Sequence, residues 1–284
     1  MIEAVRSILD ADVQRLLKQQ NAAQGDDPEG VHQMRVAARR MRGLLRVLRP
    51  LLDKLWVQTL SDEVAWLAGE LGSVRDVDVL FEALAEYATQ TGSSIPVAIQ
   101  HELTSRRVAG RDRLKVLFCG ARYQALEQTL AEAVRQPQCV EASEQKPAGP
   151  ALLRRLDKRA RLLRRSFRQL SEQTNEGQFH AVRKRAKDLR YSAEAVAPWL
   201  GHKNRVRAKR LSKRLSKATD QLGQLQDQVT HIQQLTSLAA SVNLSDLPVI
   251  QRWLADLNRQ RAESLPVIVG KRKRWIRPED LDWA

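Results

Sequence analysis

Apolar residues recur at a period close to 3.6 along almost the whole of this 284-residue chain, which commits it to helix. The pattern predicts helices over 2–22, 29–49, 53–72, 76–92, 95–118 and 121–136. After a polar gap it predicts 150–173, 177–197, 203–224, 226–241 and 246–264. Composition agrees: aromatics are 5%, and Leu, Ala, Arg and Gln dominate, so helix formers outweigh strand formers. "GDDPEG" (25–30), "TGSSIP" (91–96) and "NLSDLP" (243–248) mark breaks. "QPQCVEASEQKPAGP" (136–150), with three prolines and almost no periodicity, reads as a linker.

One of these helices has an unusual charge. "VHQMRVAARRMRGLLRVLRP" (31–50) holds one histidine, six arginines and no acid. Surface helices ordinarily mix signs, because opposite charges three or four residues apart stabilise them by roughly 0.2–0.5 kcal/mol per pair. His32, Arg35, Arg39, Arg42, Arg46 and Arg49 step by three and four, which puts them within a sector of about 100° at 3.6 residues per turn. Met34, Ala38, Met41, Leu45, Leu48 and Leu52 occupy the other side and should face a core. Like charges stacked along one stripe repel, so the stripe needs a reason.

It also occurs twice. "VHQMRVAARRMR" (31–42) aligns with "FHAVRKRAKDLR" (179–190) at an offset of 148 (180 − 32), repeating the face as His180, Arg183, Lys187 and Arg190. Downstream, "LGSVRD" (71–76) aligns with "LGQLQD" (222–227) at an offset of 151 (222 − 71). Two blocks in the same order at nearly the same spacing imply an internal duplication. The expected architecture is all-α, two pseudo-symmetric helical bundles related by a pseudo-two-fold. The first bundle is assigned to 1–136, the linker to 137–150, the second bundle to 151–265 and a C-terminal tail to 266–284.

Charge is segregated. The formal net charge is +15, a field that bears on partners more than on fold. "HKNRVRAKRLSKRLSK" (202–217) carries eight Lys/Arg and no acid, with Arg207, Arg210, Arg214 and Lys217 on one face. "LLRRLDKRARLLRRSFRQL" (152–170) adds eight against the single Asp157, while 53–86 is net acidic. Segregation favours an anion-binding surface, and arginine's planar fork suits phosphate oxygens. A histidine beside bound phosphates can be protonated near neutral pH.

Cys119 and Cys139 make no disulfide framework and suit a reducing compartment. The N-terminal "MIEAVRSILDADVQRLL" carries acids inside an amphipathic pattern, unlike a signal peptide. No apolar run approaches the roughly 20 residues of a membrane span. The expectation is a cytoplasmic protein with no membrane partner.

The pattern His-x-x-Arg-x-x-x-Arg/Lys-x-x-Arg, occurring twice and followed each time by Leu-Gly-x-x-x-Asp, resembles the CHAD domain, the conserved histidine α-helical domain. The first copy fits through His32, Arg35, Arg39, Arg40 and Arg42 and then Leu71–Asp78. The second fits through His180, Arg183, Lys187 and Arg190 and runs into "RYSAE" (190–194), similar to the family's Arg-Tyr-x-x-Glu. The likeness covers about residues 2–265. Asp188 departs from it, standing where Arg40 stands in the first copy; so do Gln226 for Arg75 and Val229 for Asp78. Asp76 and Asp227 read as helix N-caps or as buttresses to the arginines, with metal binding a poor alternative.

The resemblance implies an all-helical fold whose two bundles enclose a basic groove or pore, binding of inorganic polyphosphate and association with polyphosphate granules. The residues assigned to it are His32, Arg35, Arg39, Arg40, Arg42, Arg46, His180, Arg183, Lys187, Arg190, Arg207, Arg210, Arg214 and Lys217, with no metal and no cofactor. A chain of phosphates has no bases to read, so stripes of charge suffice, and affinity should fall steeply with salt. Nucleic acid is the second choice. The stripes lack the aromatics of single-strand binders, and Arg, Lys and His contact backbone without reading sequence. Catalysis is not expected: there is no Walker loop and no HExxH pair, and the stripes hold no acids to anchor Mg²⁺ against phosphates. The tail "VGKRKRWIRPEDLDWA" is expected to be a loose solvated end, although Trp275 and Trp283 hint at docking.

Overall fold

The computed structural model describes residues 1–25, 27–141, 147–239, 246–281 and 283. It is all-α. Among the described residues there are ten α-helices: α1 (Ile2–Leu17), α2 (Gln20–Gln24), α3 (Pro28–Leu48), α4 (Lys54–Thr91), α5 (Val97–Cys119), α6 (Ala121–Arg135), α7 (Ala148–Gln169), α8 (Glu176–Val196), α9 (His202–Ala239) and α10 (Leu247–Lys271). The two helices bearing the histidine stripes begin alike. The Asp27 carboxylate accepts from Glu29 N–H at 3.0 Å ahead of α3, with Pro28 at the first helical position. The Asn175 side chain, 148 positions on, accepts from Gln178 N–H at 2.9 Å ahead of α8. Both satisfy donors that a helix start otherwise leaves unpaired.

The structure corrects the sequence reading in three places. First, α4 and α9 are each continuous for 38 residues, whereas breaks were expected near 72–76 and 224–226. A glycine costs a helix interior about 1 kcal/mol and does not end it, and Leu71, Val74, Leu222 and Leu225 are buried on either side of Gly72 and Gly223. Asp76 and Asp227 therefore lie inside helices and cap nothing. What ends α4 is Gly92, in the left-handed region at φ 64.

Second, α10 does not stop at 264 but passes through Pro266 to Lys271, because Ile268 and Val269 beyond the proline are buried. Third, the tail is not loose. Trp275 is 4% exposed, packs edge-on against Phe167 of α7 and donates its indole N–H to Gln221 of α9 at 3.0 Å. Asp280, 1% exposed, pairs with Arg214. Aromatic burial and the Arg214–Asp280 pair outweigh the end's freedom. The breaks expected at 25–30 and 243–248, the linker at 137–150 and the end of the tail fall partly outside the described residues. Within the linker, Cys139 bridges Leu52 across the start of α4.

Two hydrophobic clusters organise the packing. The larger draws on α1, α3, α6, α7, α8, the first parts of α4 and α9, and the tail. The smaller joins Leu80, Leu84 and Ala88 of α4 to Ile99 and Leu103 of α5, Leu235 and Leu238 of α9, and Ile250 and Trp253 of α10. Both long helices thus run through both clusters. Where they pass from one to the other they are polar: Arg75, Asp76 and Asp78 on α4; Gln226, Asp227, Gln228 and His231 on α9. Asp78, fully buried there, is held by Arg107 at 3.0 Å and Arg111 at 2.8 Å.

Candidate functional site

α3 packs on α4, α8 packs on α9, and α3 packs on α8. Met34, Ala38, Met41, Leu45, Leu48 and Leu52 are all buried, as their spacing demands. The opposite faces of α3 and α8 bring the histidine stripes together. Arg39 stands in the middle: its charge depresses the pKa of Arg35, Arg42, Arg183 and Lys187 alike. Two of these four neighbours come from each helix.

Each arginine next after a histidine lies over a glycine. A Cβ at Gly72 would fall 3.3 Å from Arg35 Nε, and one at Gly223 would fall 3.2 Å from Arg183 Nη2. Arg35 also donates to Asp76 Oδ1 at 3.1 Å, and Asp227 offsets the burial of Arg183 from the corresponding place. The glycine of each Leu-Gly-x-x-x-Asp block makes room for an arginine; one turn on, Asp76 bonds the Arg35 guanidinium, whereas Asp227 acts on Arg183 through its charge alone. Of the two roles expected for these aspartates, buttress is observed for Asp76.

The electrostatics are those of a crowd of like charges. Burial pushes Lys187 down to about 7, helped by Arg183, Arg39 and Arg190 and opposed by Asp227. Burial lowers Arg35, Arg42 and Arg183 as well. His32 is lowered by burial and then by Arg75, so in the unliganded protein it is neutral at pH 7 rather than charged. His180 is exposed and shares a 2.9 Å hydrogen bond between Nδ1 and Gln226 Oε1; Gln226 is the residue standing where Arg75 stands in the first copy. The Nε atoms of Arg42, Arg183 and Arg190 are buried and unpartnered among the described residues, as is His32 Nδ1. Such orphaned donors cost free energy unless something accepts from them.

Not every residue assigned to the stripes joins this crowd. Arg46 makes a two-oxygen pair with Asp188 across the α3–α8 crossing, at 2.6 and 3.0 Å. Arg40 donates to Asp12 at 2.9 Å and to Glu194 at 2.6 Å. Under the 148-residue offset Asp188 is the counterpart of Arg40 and Glu194 that of Arg46. The two bridges are thus reciprocal, with both cations on α3 and both anions on α8. Gly43 permits the close crossing, since a Cβ there would meet Asp188 Oδ1 at 2.6 Å.

Arg190 donates to Ser216 at 3.1 Å and covers the ring of Tyr191. On α9, Ser212, Ser216 and Gly223 meet α8, whereas Arg214 and Gln221 are taken by the tail. Arg207, Arg210 and Lys217 share the face of Arg214 by spacing, across the helix from Ser212, Ser216 and Gly223.

The sequence reading missed the glycine seats, and it missed Asp12, Glu194 and Ser212 as the partners that tie Arg40 and α9 to the crossing. A signal for Glu194 was present: an acid stands 148 positions after Arg46. Among the described residues no group of three His, Cys, Asp or Glu stands close enough to hold a metal ion, and no helix is long and apolar enough to cross a membrane.

Comparison with known proteins decides the family: the CHAD domain model matches residues 7–236. The chain belongs to the CHAD family. Among solved structures the fold is similar to PptA from Streptomyces chartreusis, with a TM-score of 0.77 at 17% identity over 96% of this chain and 99% of that one. It is also similar to the CHAD domain from the plant Ricinus communis, with a TM-score of 0.72 at 21% identity over 97% and 91%. Two uncharacterized Mycobacterium tuberculosis proteins, MT2285 (strain CDC 1551 / Oshkosh) and Rv2226 (strain ATCC 25618 / H37Rv), are each 26% identical over 97% of this chain. The CHAD chain spans about half, 54%, of the length of these relatives.

Proposed function

We propose that this CHAD protein binds inorganic polyphosphate without catalysis, in a basic groove between two duplicated halves (1–136 and 151–265), and that it associates with polyphosphate granules in the cytoplasm. The observation that carries the reading is Arg39 with Arg35, Arg42, Arg183 and Lys187 around it. Among the described residues none of Arg39, Arg42, Arg183 and Lys187 is hydrogen-bonded to a carboxylate. Cations drawn from two helices and crowded together, with their carboxylate neighbours outnumbered, are poised for a polyanion. Arg35, Arg39, Arg42, Arg183, Lys187 and Arg190 contact the phosphates, with His32 and His180 at the rim. Arg40 and Arg46 are tied into the α3–α8 crossing, and Arg207, Arg210, Arg214 and Lys217 serve at most a peripheral path.

Nucleic acid is the weaker reading. The aromatic ring beside the cluster, Tyr191, is buried and covered by the Arg40 and Arg190 guanidiniums, so it offers no face to a base.

The test is a competition titration of labelled long-chain polyphosphate against duplex and single-stranded DNA at two salt concentrations. It is repeated with Arg39→Glu and Arg42→Glu together. The expected outcome is tight, salt-sensitive polyphosphate binding that DNA does not displace and that the double variant loses. Equal or tighter DNA binding near 0.15 M salt makes nucleic acid the partner.

A further inference from the structure

A second cleft, of about 610 Å³, opens between α7, the end of α3 and α8. Its cations are Arg155, Lys158, Arg159, Arg165 and Arg185, and no Asp or Glu lines it. The acid on α7, Asp157, is paired with Arg161 at 2.8 Å. This is not the histidine cluster. Arg185 lies two residues from both Arg183 and Lys187, about 200° around α8, so it leaves the opposite face. Arg159, which donates to the Arg46 carbonyl, and the Arg46–Asp188 pair stand between the two.

The walls are not those that a bare phosphate chain needs. Val47, Pro50, Leu162 and Leu163 form an apolar side, and Leu162 is 52% exposed on it. A hydrophobic side chain held open to solvent beside Arg155, Lys158, Arg165 and Arg185, which no carboxylate pairs among the described residues, is complementary to a molecule with an anionic end and a flat organic end. The volume suits a ligand of that kind, since small-molecule sites run roughly 300–1,000 Å³. We propose that this cleft binds a nucleoside polyphosphate. Its phosphates lie against Arg155, Lys158 and Arg185, steadied by Ser166, which already accepts from Arg185 at 3.3 Å. Its ring lies on Pro50 and Leu162. Guanidinium forks supply the bidentate phosphate contacts, and the apolar wall supplies the preference for an organic ring over inorganic phosphate.

The experiment is calorimetric titration of the intact protein with ATP and, separately, inorganic tripolyphosphate, both without Mg²⁺ at about 0.15 M salt. Three variants are compared: Arg155→Glu with Arg185→Glu, Leu162→Asn, and Arg39→Glu. Circular dichroism and the unfolding midpoint establish that each is folded. The expected result is that ATP binds, loses at least tenfold in the paired arginine variant, and is unchanged in Arg39→Glu. Leu162→Asn, at an exposed position, weakens ATP several-fold and leaves tripolyphosphate alone. The proposal is overturned if ATP gives no heat, if tripolyphosphate binds the Arg39→Glu variant as tightly as ATP does, or if Arg39→Glu abolishes ATP binding while the Arg155/Arg185 variant keeps it. The last result assigns all anion binding to the histidine cluster.

Discussion

Arg35 lies across Gly72 so closely that a methyl group on the glycine would sit 3.3 Å from the guanidinium Nε. The contact is tight yet not prohibitive, and the atom that must yield is the end of a flexible side chain. Gly72→Ala should therefore leave stability unchanged or raise it by up to about 1 kcal/mol, the helix-propensity difference. It should also tilt Arg35 off Asp76 and weaken polyphosphate binding several-fold. Gly223→Ala, at 3.2 Å from Arg183, should behave alike. Thermal unfolding and the polyphosphate titration, run on one preparation, measure the two effects; a variant that is less stable and binds normally contradicts the seating role.

The Arg46–Asp188 bridge predicts effects of opposite sign. Its side chains are 33% and 10% exposed, between the surface regime, worth under about 1 kcal/mol, and the buried one, where removing a partner costs roughly 3–5 kcal/mol. Asp188→Asn should destabilise the protein by about 1–3 kcal/mol in denaturant unfolding. Because it frees Arg46 and removes a carboxylate that faces Arg42, it should tighten polyphosphate binding.

Lys187, held down to about 7 by burial and by Arg183, Arg39 and Arg190, links proton and polyanion. Bound phosphate raises its pKa again, so binding takes up a proton above pH 7. Affinity should be full below pH 7 and fall as pH rises, with a slope approaching tenfold per unit from this group. Lys187→Met should flatten the dependence between pH 7 and 9. The unliganded protein shows the reverse sign. An unfolded lysine keeps its proton to about 10.4 while the folded one does not, so this residue makes the fold more stable as pH rises from 7 to about 10. Unfolding of wild type and Lys187→Met across that range measures the difference.

The docked tail should matter to the fold and not to the cluster. Trp275→Ala removes a side chain packed on Phe167 and bonded to Gln221, at a cost of about 3–5 kcal/mol. Polyphosphate affinity of the remaining folded protein should stay within about twofold, because Arg214 and Gln221 leave α9 away from the α8 contact. Denaturant titration and the binding assay at low temperature test both.

Much of this was written in the sequence. The 3.6 period marked the helices, and the two histidine stripes marked the helices that meet. The apolar side of α3 was read residue by residue. The continuity of α4 and α9 was not legible, because a glycine that breaks a helix and one that makes room for an arginine look the same until the arginine is placed. The fate of Arg40, Arg46 and Arg214 was also hidden. Each belongs to a basic run on its own helix, and its acid lies on another element: Glu194 on α8 for Arg40, Asp188 on α8 for Arg46, and Asp280 in the tail for Arg214. Spacing along one helix reports a face and not what the face meets.

The reciprocal bridges bear on how α3 and α8 recognise one another. Set α3 against a second α3 in the same crossing, and Arg40 faces Arg46 twice over. Set α8 against a second α8, and Asp188 faces Glu194. Only the mixed pair, as in Arg40–Glu194 and Arg46–Asp188, is neutral. The two stripe helices therefore carry a plug and a socket: neither can stand in for the other, and each is steered toward its complement and away from another copy of itself.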